Sequence, residues 1–493
     1  MPRSIQLLKQ IRNAVNTVNQ AIEDPNQKMQ LSIADMCLNE MMLQDDAGFY
    51  LDLLKQGGVL LSEGTKLAAA NGKTVTPVKL RDDLDADTRI EAMNAEFDAL
   101  CDALTTVVNS LIESRSAAEK DYLKRVTAWE SSLYYRRREQ VSATARATAK
   151  AITAESLQAY LQKQFPERKG LKVNKFLRLE GGISKMTMLF EMEDEQNGAQ
   201  SLVLRADQPV NLLYFEGSDV RQEYYMIALM HKLGMPVAEP LLLEADEAQL
   251  GARFAITTKL PGKNIVGGLA SLGIGARPPQ EVIDSFFDVM VQMHGLKIDP
   301  NDPLVQKSHL NEWMPHKTIR EAALYNATVF VPKLIRLSKI RVTPQLARAV
   351  RWLEQNVPDC DDPAVVVHVD YAFNNILFEN NRISAVLDWE TSRMGDPCDD
   401  ILWSQQNLGV YSMPEFLEIY EKATSRHISQ YRMAYAFAQK CVLNIIAGLT
   451  ALEAVDSNDN SPLHMAVMGL KYMPLFGADI GELIEKAESL KGK

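Results

Sequence analysis

Apolar residues recur at helical spacing through the first 145 positions. Ile5, Leu8, Ile11, Val15, Val18 and Ile22 mark one amphipathic helix. Ile90, Met93, Phe97, Leu100, Leu104, Val107 and Leu111 follow an unbroken three-four alternation, the seam of a coiled-coil-like helix. Ser116 with Glu119 reads as a capping box, and Tyr122, Val126, Trp129 and Leu133 continue the seam beyond it. Two antiparallel helices joined at 113–116 would pack at a shallow angle. The Ala- and Thr-rich segment 142–153 bridges to a region of different periodicity.

From there the period shortens. Phe176–Leu179 and Met188–Met192 flank Glu180-Gly181-Gly182-Ile183-Ser184-Lys185, a strand–glycine turn–strand pattern. Glycines there let backbone N–H groups approach phosphate oxygens, although a Gly-Gly hairpin is also an ordinary connection. Leu202–Arg205 reads as a strand ending in a cation, and Asp219–Leu233 as a helix stopped by Gly234. Ala364–Val367 reads as a buried strand, with Asp370 close after it. Asn375–Phe378 and Ile383–Trp389 read as two strands joined at Asn380-Asn381, residues that accept the positive φ of a tight turn. If Glu379 opposes Arg382, then Asn375 opposes Val386 and Asp388 is its diagonal neighbour, roughly 7–8 Å away by Cα. Two such oxygen donors suit one Mg²⁺ that bridges nucleotide phosphates, while Asp370 accepts the proton of an attacking hydroxyl.

The segment His368-Val369-Asp370…Asn375…Asp388-Trp389-Glu390 resembles the catalytic segment of the aminoglycoside phosphotransferase/choline kinase-like enzymes, H-G-D-x-x-x-x-N with a later D-[WF]-E. Gly395–Asp400 also matches the family's G-D-P-x-x-D. The resemblance covers about residues 150–480. Helical periodicity places an all-α domain, a helical bundle or hairpin, over 1–145. After it, the resemblance implies an α+β, two-lobed protein-kinase-like fold with an N-lobe over 155–258 and a mainly helical C-lobe over 263–493. It implies that His368 braces the catalytic loop, Asp370 is the base, and Asn375 and Asp388 hold Mg²⁺. Gly181, Gly182, Ser184, Lys185, Arg205 and Glu223 would serve ATP, with Glu223 the ion partner of Arg205. Arg253–Thr258 and Lys259-Leu260-Pro261-Gly262 resemble the strand and hinge that bind adenine. Two positions depart from the pattern. Val369 replaces the usual Gly, and Arg205 stands where the family has Lys. The branch resembling the acyl-CoA dehydrogenase-associated kinases shares that Arg, which is no neutral swap for Lys.

Other residues carry plainer readings. Asp396 before Pro397 reads as a helix cap, Asp400 as a loop-ordering residue and His294 as a core or helix-end histidine. At 493 residues, 46% hydrophobic and 24% charged, the chain has the composition of a globular protein. A net charge of -11 argues against nucleic acid or an anionic membrane as partner, and Tyr435–Leu452, interrupted by Gln439, Lys440 and Asn444, reads as a buried helix. Five scattered cysteines without metal spacing, and no signal-like N-terminus, fit reduced thiols in the cytoplasm.

The expectation is therefore an ATP:alcohol phosphotransferase acting on a small-molecule hydroxyl, either a hydroxyacyl-CoA-type metabolite or an aminoglycoside-type antibiotic. The alternative is a nucleotide-binding, catalytically weak scaffold. The N-terminal helical domain reads as a packing or oligomerisation module, a homodimer through these helices being one form of it, or as a cover over the active site.

Overall fold

In the computed structural model, the described residues are 47–73, 75, 81, 90–112, 116–138, 152–179, 185–208, 218–264, 277–457, 469, 477 and 480–491. Gly181, Gly182 and Ser184 lie outside them, as does the helix expected over 5–22. The chain packs as two compact units, and neither is one continuous segment.

One unit comprises residues 1–147, 330–356 and 438–491. Its described core is helical. Met93, Leu100, Leu104, Val107 and Leu111 of the helix Ile90–Leu111 are buried, as are Tyr122, Val126 and Trp129 of Ala117–Arg138, so the three-four seam is a packed face. Part of what covers it comes from far along the chain. The helix Pro344–Gln355 packs on both, with Gln345 N–H donating to Glu130 Oε2 (2.8 Å) and Arg348 to Thr127 Oγ1 (2.8 Å). Trp129 Nε1–H donates to the Leu53 carbonyl (2.8 Å), fixing the helix Ala47–Ala70. Packing thus groups the chain differently from the division at residue 145. The N-terminal helices share a core with segments assigned by sequence to the C-lobe, because their apolar seam is completed by Leu346, Ala349, Trp352 and Leu353.

The other unit, 148–329 and 357–437, carries both lobes of the kinase-like part. Its sheet is antiparallel, in the order β1-β2-β3-β5-β4, from β1 (Lys172–Leu179), β2 (Lys185–Asp194), β3 (Gly198–Asp207), β4 (Pro240–Glu244) and β5 (Phe254–Thr258). Alternation drives it: Met186, Met188, Phe190 and Met192 of β2 turn inward with Leu202, Leu204 and Ala206 of β3. The helix Ala154–Gln164, opened by a Thr153–Ser156 capping box, sets Leu157, Tyr160 and Leu161 into that core. The helix Val220–Lys232 connects β3 to β4, with Asp219 accepting from Arg221 N–H as its cap and Gly234 beyond its end at φ +78°.

In the helical lobe the segment around Tyr371 rests on the helix Gln280–His294. Tyr371 donates to the Phe286 carbonyl (3.0 Å), and the Phe286 ring packs against Tyr371 and Phe373 at 4.7 and 5.2 Å between centroids. Here β6 (Lys263–Asn264), β8 (Ile376–Glu379) and β9 (Arg382–Val386) form one small sheet, and β7 (Val365–Val367) pairs with β10 (Arg393–Gly395). Asn380 and Asn381 both have positive φ, as the hairpin requires. Among the described residues, 430–453 is long and apolar enough to cross a membrane, and its most apolar window is 72% buried inside the protein.

Candidate active site

The hairpin register differs from expectation by one residue. Glu379 opposes Arg382, yet Ile376, not Asn375, opposes Val386, because Ser384 bulges out of β9. The bulge has a partner: Ser384 Oγ–H donates to the Pro261 carbonyl (2.6 Å), tying the hinge segment to the hairpin. Gly262, at φ +110°, makes that approach feasible, since a Cβ there would meet Ser384 Oγ and the Phe378 carbonyl. Asn375 accordingly pairs past the end of β9, accepting from Leu387 N–H through its backbone carbonyl (2.8 Å). Asp388 comes next in the left-handed region at φ +69°, which turns the chain into a short 3-10 turn, Trp389–Thr391.

Three expected residues converge. Asn375 Nδ2–H donates to Asp370 Oδ2 (2.8 Å) and to the Asp370 carbonyl (3.0 Å), fixing both side chains. Asp370 N–H donates to His368 Nδ1 (3.3 Å), and His368 Nε2–H donates to the Leu387 carbonyl (2.8 Å). Both ring nitrogens of this buried histidine are engaged with backbone. It can position Asp370 and the residue before Asp388, and it has no nitrogen left to move a proton. Asp400 acts from beneath, accepting from His368 N–H (2.9 Å) and Val369 N–H (2.6 Å). The His294 Nε2 lies 3.0 Å from Asp400 and its Nδ1 2.7 Å from the Tyr420 hydroxyl. Val369 itself sits at φ +73°, a conformation that β-branched residues rarely adopt and glycine takes freely.

Arg205 closes the site from the sheet. Its Nε–H donates to Glu223 Oε2 (2.9 Å) and its Nη2–H to Asp388 Oδ1 (2.8 Å). Burial pushes the Glu223 carboxyl up, with Arg205 opposing, and Asp388 is likewise raised by burial and by Glu390 against Arg205. Lys185, at the start of β2, is not directed at open solvent: its side chain is 1% exposed, with Nζ 2.9 Å from Glu390 Oε2, 3.5 Å from the Ser218 carbonyl and 3.8 Å from Asp207 Oδ1. Burial works against its charge, but Glu390 and Asp207 outweigh it and hold the pKa up.

Sequence reasoning gave no part to Glu390, 205 residues from Lys185 with no local signal linking them, or to Asp207, which faces Lys185 across the antiparallel β2–β3 pair. It also gave Asp396 too small a part. Besides accepting from Cys398 N–H (3.0 Å), that carboxylate takes a fork from Arg432 at 2.9 and 2.8 Å.

Among the described residues no group of three or more His, Cys, Asp and Glu is arranged to hold a metal alone. Asp388 with the Asn375 amide oxygen is still a fitting donor set for Mg²⁺, which takes one or two protein oxygens and completes its shell with phosphate and water.

The chain belongs to a family of phosphotransferases: the "Phosphotransferase enzyme family" matches residues 177–434, and the two lobes just described are its kinase-like fold. Among curated proteins it resembles "Acyl-CoA dehydrogenase family member 11" from Mus musculus, 26% identical over 54% of this chain and 35% of that protein. The Pongo abelii counterpart is 25% identical over 46% of this chain and 30% of its own length. The chain thus spans about a third of these relatives. "Hygromycin-B 4-O-kinase" of Escherichia coli is 38% identical over 55 residues, 11% of this chain and 16% of its own. Solved structures with a resemblance include aminoglycoside phosphotransferase APH(4)-Ia with AMP-PNP and hygromycin B (16% identity, 69% of this chain, 100% of that one, TM-score 0.44). Spectinomycin phosphotransferase APH(9)-Ia with ADP and spectinomycin is similar at 14% identity, with the same coverage and TM-score.

Proposed function

We propose that this protein transfers the γ-phosphoryl group of ATP to a hydroxyl of a small molecule, with Asp370 as general base and with Asp388 and Asn375 holding Mg²⁺. The observation that carries the reading is the hydrogen-bonded Asp370–Asn375 pair, set beside Asp388 by His368 and Leu387. A bound Mg²⁺ would supply the charge that neutralises the phosphates. Arg205, already oriented by Glu223, grips phosphate oxygens with its planar fork once it leaves Asp388. Asp370 takes the acceptor proton as the new O–P bond forms. A hydroxyacyl-CoA or related metabolite is the acceptor class favoured by the acyl-CoA dehydrogenase-named relatives, and an aminoglycoside is the one favoured by the hygromycin kinase segment. A screen of hydroxylated metabolites for ADP release, with mass spectrometry of products, chooses between them.

A second reading, a nucleotide-binding scaffold with weak catalysis, draws on the Arg205–Asp388 ion pair, which holds a proposed metal ligand on a protein cation. Asp370→Asn separates the two. Size and hydrogen bonding are retained while the base is lost, so phosphoryl transfer should fall roughly 10²–10⁴-fold with nucleotide affinity unchanged. Transfer at the wild-type rate would remove Asp370 from the mechanism. Tight ATP binding by wild type with no acceptor phosphorylated would favour the scaffold.

A further inference from the structure

Nothing in the phosphotransferase mechanism uses the contact made by the Ser384 bulge, and that contact joins two parts of the nucleotide site. The first part lies on the sheet. Leu177 pairs with Leu189, Leu189 with Val203 and Val203 with Thr257. Val203 is two residues before Arg205, so alternation turns this row and the arginine toward the same side. Leu177, at one end of the row, is 56% exposed. Thr257, at the other, is 9% exposed, and its hydroxyl has no protein partner among the described residues. An apolar row ending in an unpaired buried hydroxyl suits the flat face and polar edge of a purine whose phosphates extend to Arg205.

Just past Thr257 the chain leaves the sheet, and residues 261–264 lie against the catalytic hairpin. Lys263 and Asn264 pair with Phe378 and Leu377 of β8. The other strand of the hairpin, β9, leads into Asp388 and is held from three directions. Val386 N–H donates to the Pro236 carbonyl (2.8 Å), which fixes β9 to the connection before β4. Ile383 N–H donates to Ser285 Oγ (2.9 Å) on the helix Gln280–His294. Ser384, between them, ties β9 through the Pro261 carbonyl (2.6 Å) to the segment beyond Thr257. A bulge gives up regular ladder pairing, and here it aims one hydroxyl out of the strand. The approach is shaped from both sides, since a Cβ on Gly262 would meet Ser384 Oγ.

Resting on the proposed phosphotransferase function, we infer that Ser384 is a positioning residue that sets the spacing between the base site and the phosphate site. Through Pro261 it fixes the segment next to the purine row to the hairpin that carries Asn375 and Asp388. A nucleotide bound along the row then presents its phosphates to those residues at one distance, instead of over a range of distances. The residue touches neither the base nor the phosphates, and it acts only on ligands that occupy both places at once.

The test divides the nucleotide into its parts. Adenosine probes the base site, imidodiphosphate with Mg²⁺ probes the phosphate site, and AMP-PNP with Mg²⁺ spans both; each affinity is measured by isothermal titration calorimetry or by competition. In Ser384→Ala the two fragments should bind as they do to wild type. AMP-PNP with Mg²⁺ should bind about 2–10-fold more weakly, the loss of one neutral hydrogen bond. Ser384→Thr, which keeps the hydroxyl, should restore it, and thermal unfolding establishes that each variant is folded. Wild-type affinity for AMP-PNP in Ser384→Ala would overturn the inference and leave the kinase reading standing. So would an equal loss for adenosine alone, which would make the residue a prop of the base site. Failure of wild type to bind AMP-PNP with Mg²⁺ at all would sink the phosphotransferase reading, and the inference with it.

Discussion

At the scale of single residues, the site is built by carboxylates that order backbone or meet a cation. Val369 is the position under most strain. Its left-handed φ costs a non-glycine residue about 1–3 kcal/mol, while its buried side chain, packed with Val365 and Val367, returns about 1.5–3 kcal/mol. The two terms nearly cancel, and Asp400 holds the result through both N–H groups. Truncation there should therefore break the usual order of severity. Val369→Ala loses packing and keeps most of the strain, whereas Val369→Gly loses slightly more packing and all of the strain. Chemical denaturation should find the Gly variant at least as stable as the Ala variant. An Ala variant more stable by over about 1 kcal/mol would refute the strain argument.

Asp207 offers a test by pH. Burial, with Asp219 adding and Lys185 opposing, pushes its carboxyl up to about 6, against about 3.9 for an unfolded aspartate. Between those values the folded state binds more protons than the unfolded one. This group's contribution to stability is thus fully present below the unfolded value and is lost as pH rises to the folded one, by at most about 3 kcal/mol. Asp207→Asn, which cannot titrate, should flatten the stability profile between about pH 4 and pH 6.5. A wild-type profile no steeper than the variant's over that window would contradict the assignment.

At the scale of elements, what was legible in the sequence was whatever depends on near neighbours. The hairpin at Asn380-Asn381, the buried strand before Asp370, the capped helix after Asp219 and the seam of 90–111 all appear where periodicity and turn chemistry put them. So does the Arg205–Glu223 pair. The Ser384 bulge was not legible, because it answers to Pro261, 123 residues away, and no local residue marks it. Its effect reaches the site, moving Asn375 one residue past its expected partner. The same limit hid Lys185–Glu390 and Arg205–Asp388, contacts closed by tertiary packing across 205 and 183 residues.

At the scale of the whole molecule, the division of the chain into units obeys packing and not sequence order. Leu346, Ala349, Trp352 and Leu353 are buried in the unit that contains residues 1–147. A truncated protein beginning at Thr148 should accordingly be poorly soluble, with loss of cooperative thermal unfolding, because it strips cover from that apolar face. A monodisperse product with the full-length melting temperature would show that the N-terminal helices are dispensable to the rest.

The interleaving also sets a timetable for synthesis. The seam of 90–111 leaves the ribosome long before the helix Pro344–Gln355 that completes it, and at roughly 5–20 residues per second the delay is on the order of ten seconds to a minute. Meanwhile the sheet unit, whose strands β1 to β5 are near neighbours in the chain, can assemble. These helices are thus made before the sheet unit yet find their final partners after it, and for that interval their apolar faces must be shielded by one another or by a chaperone.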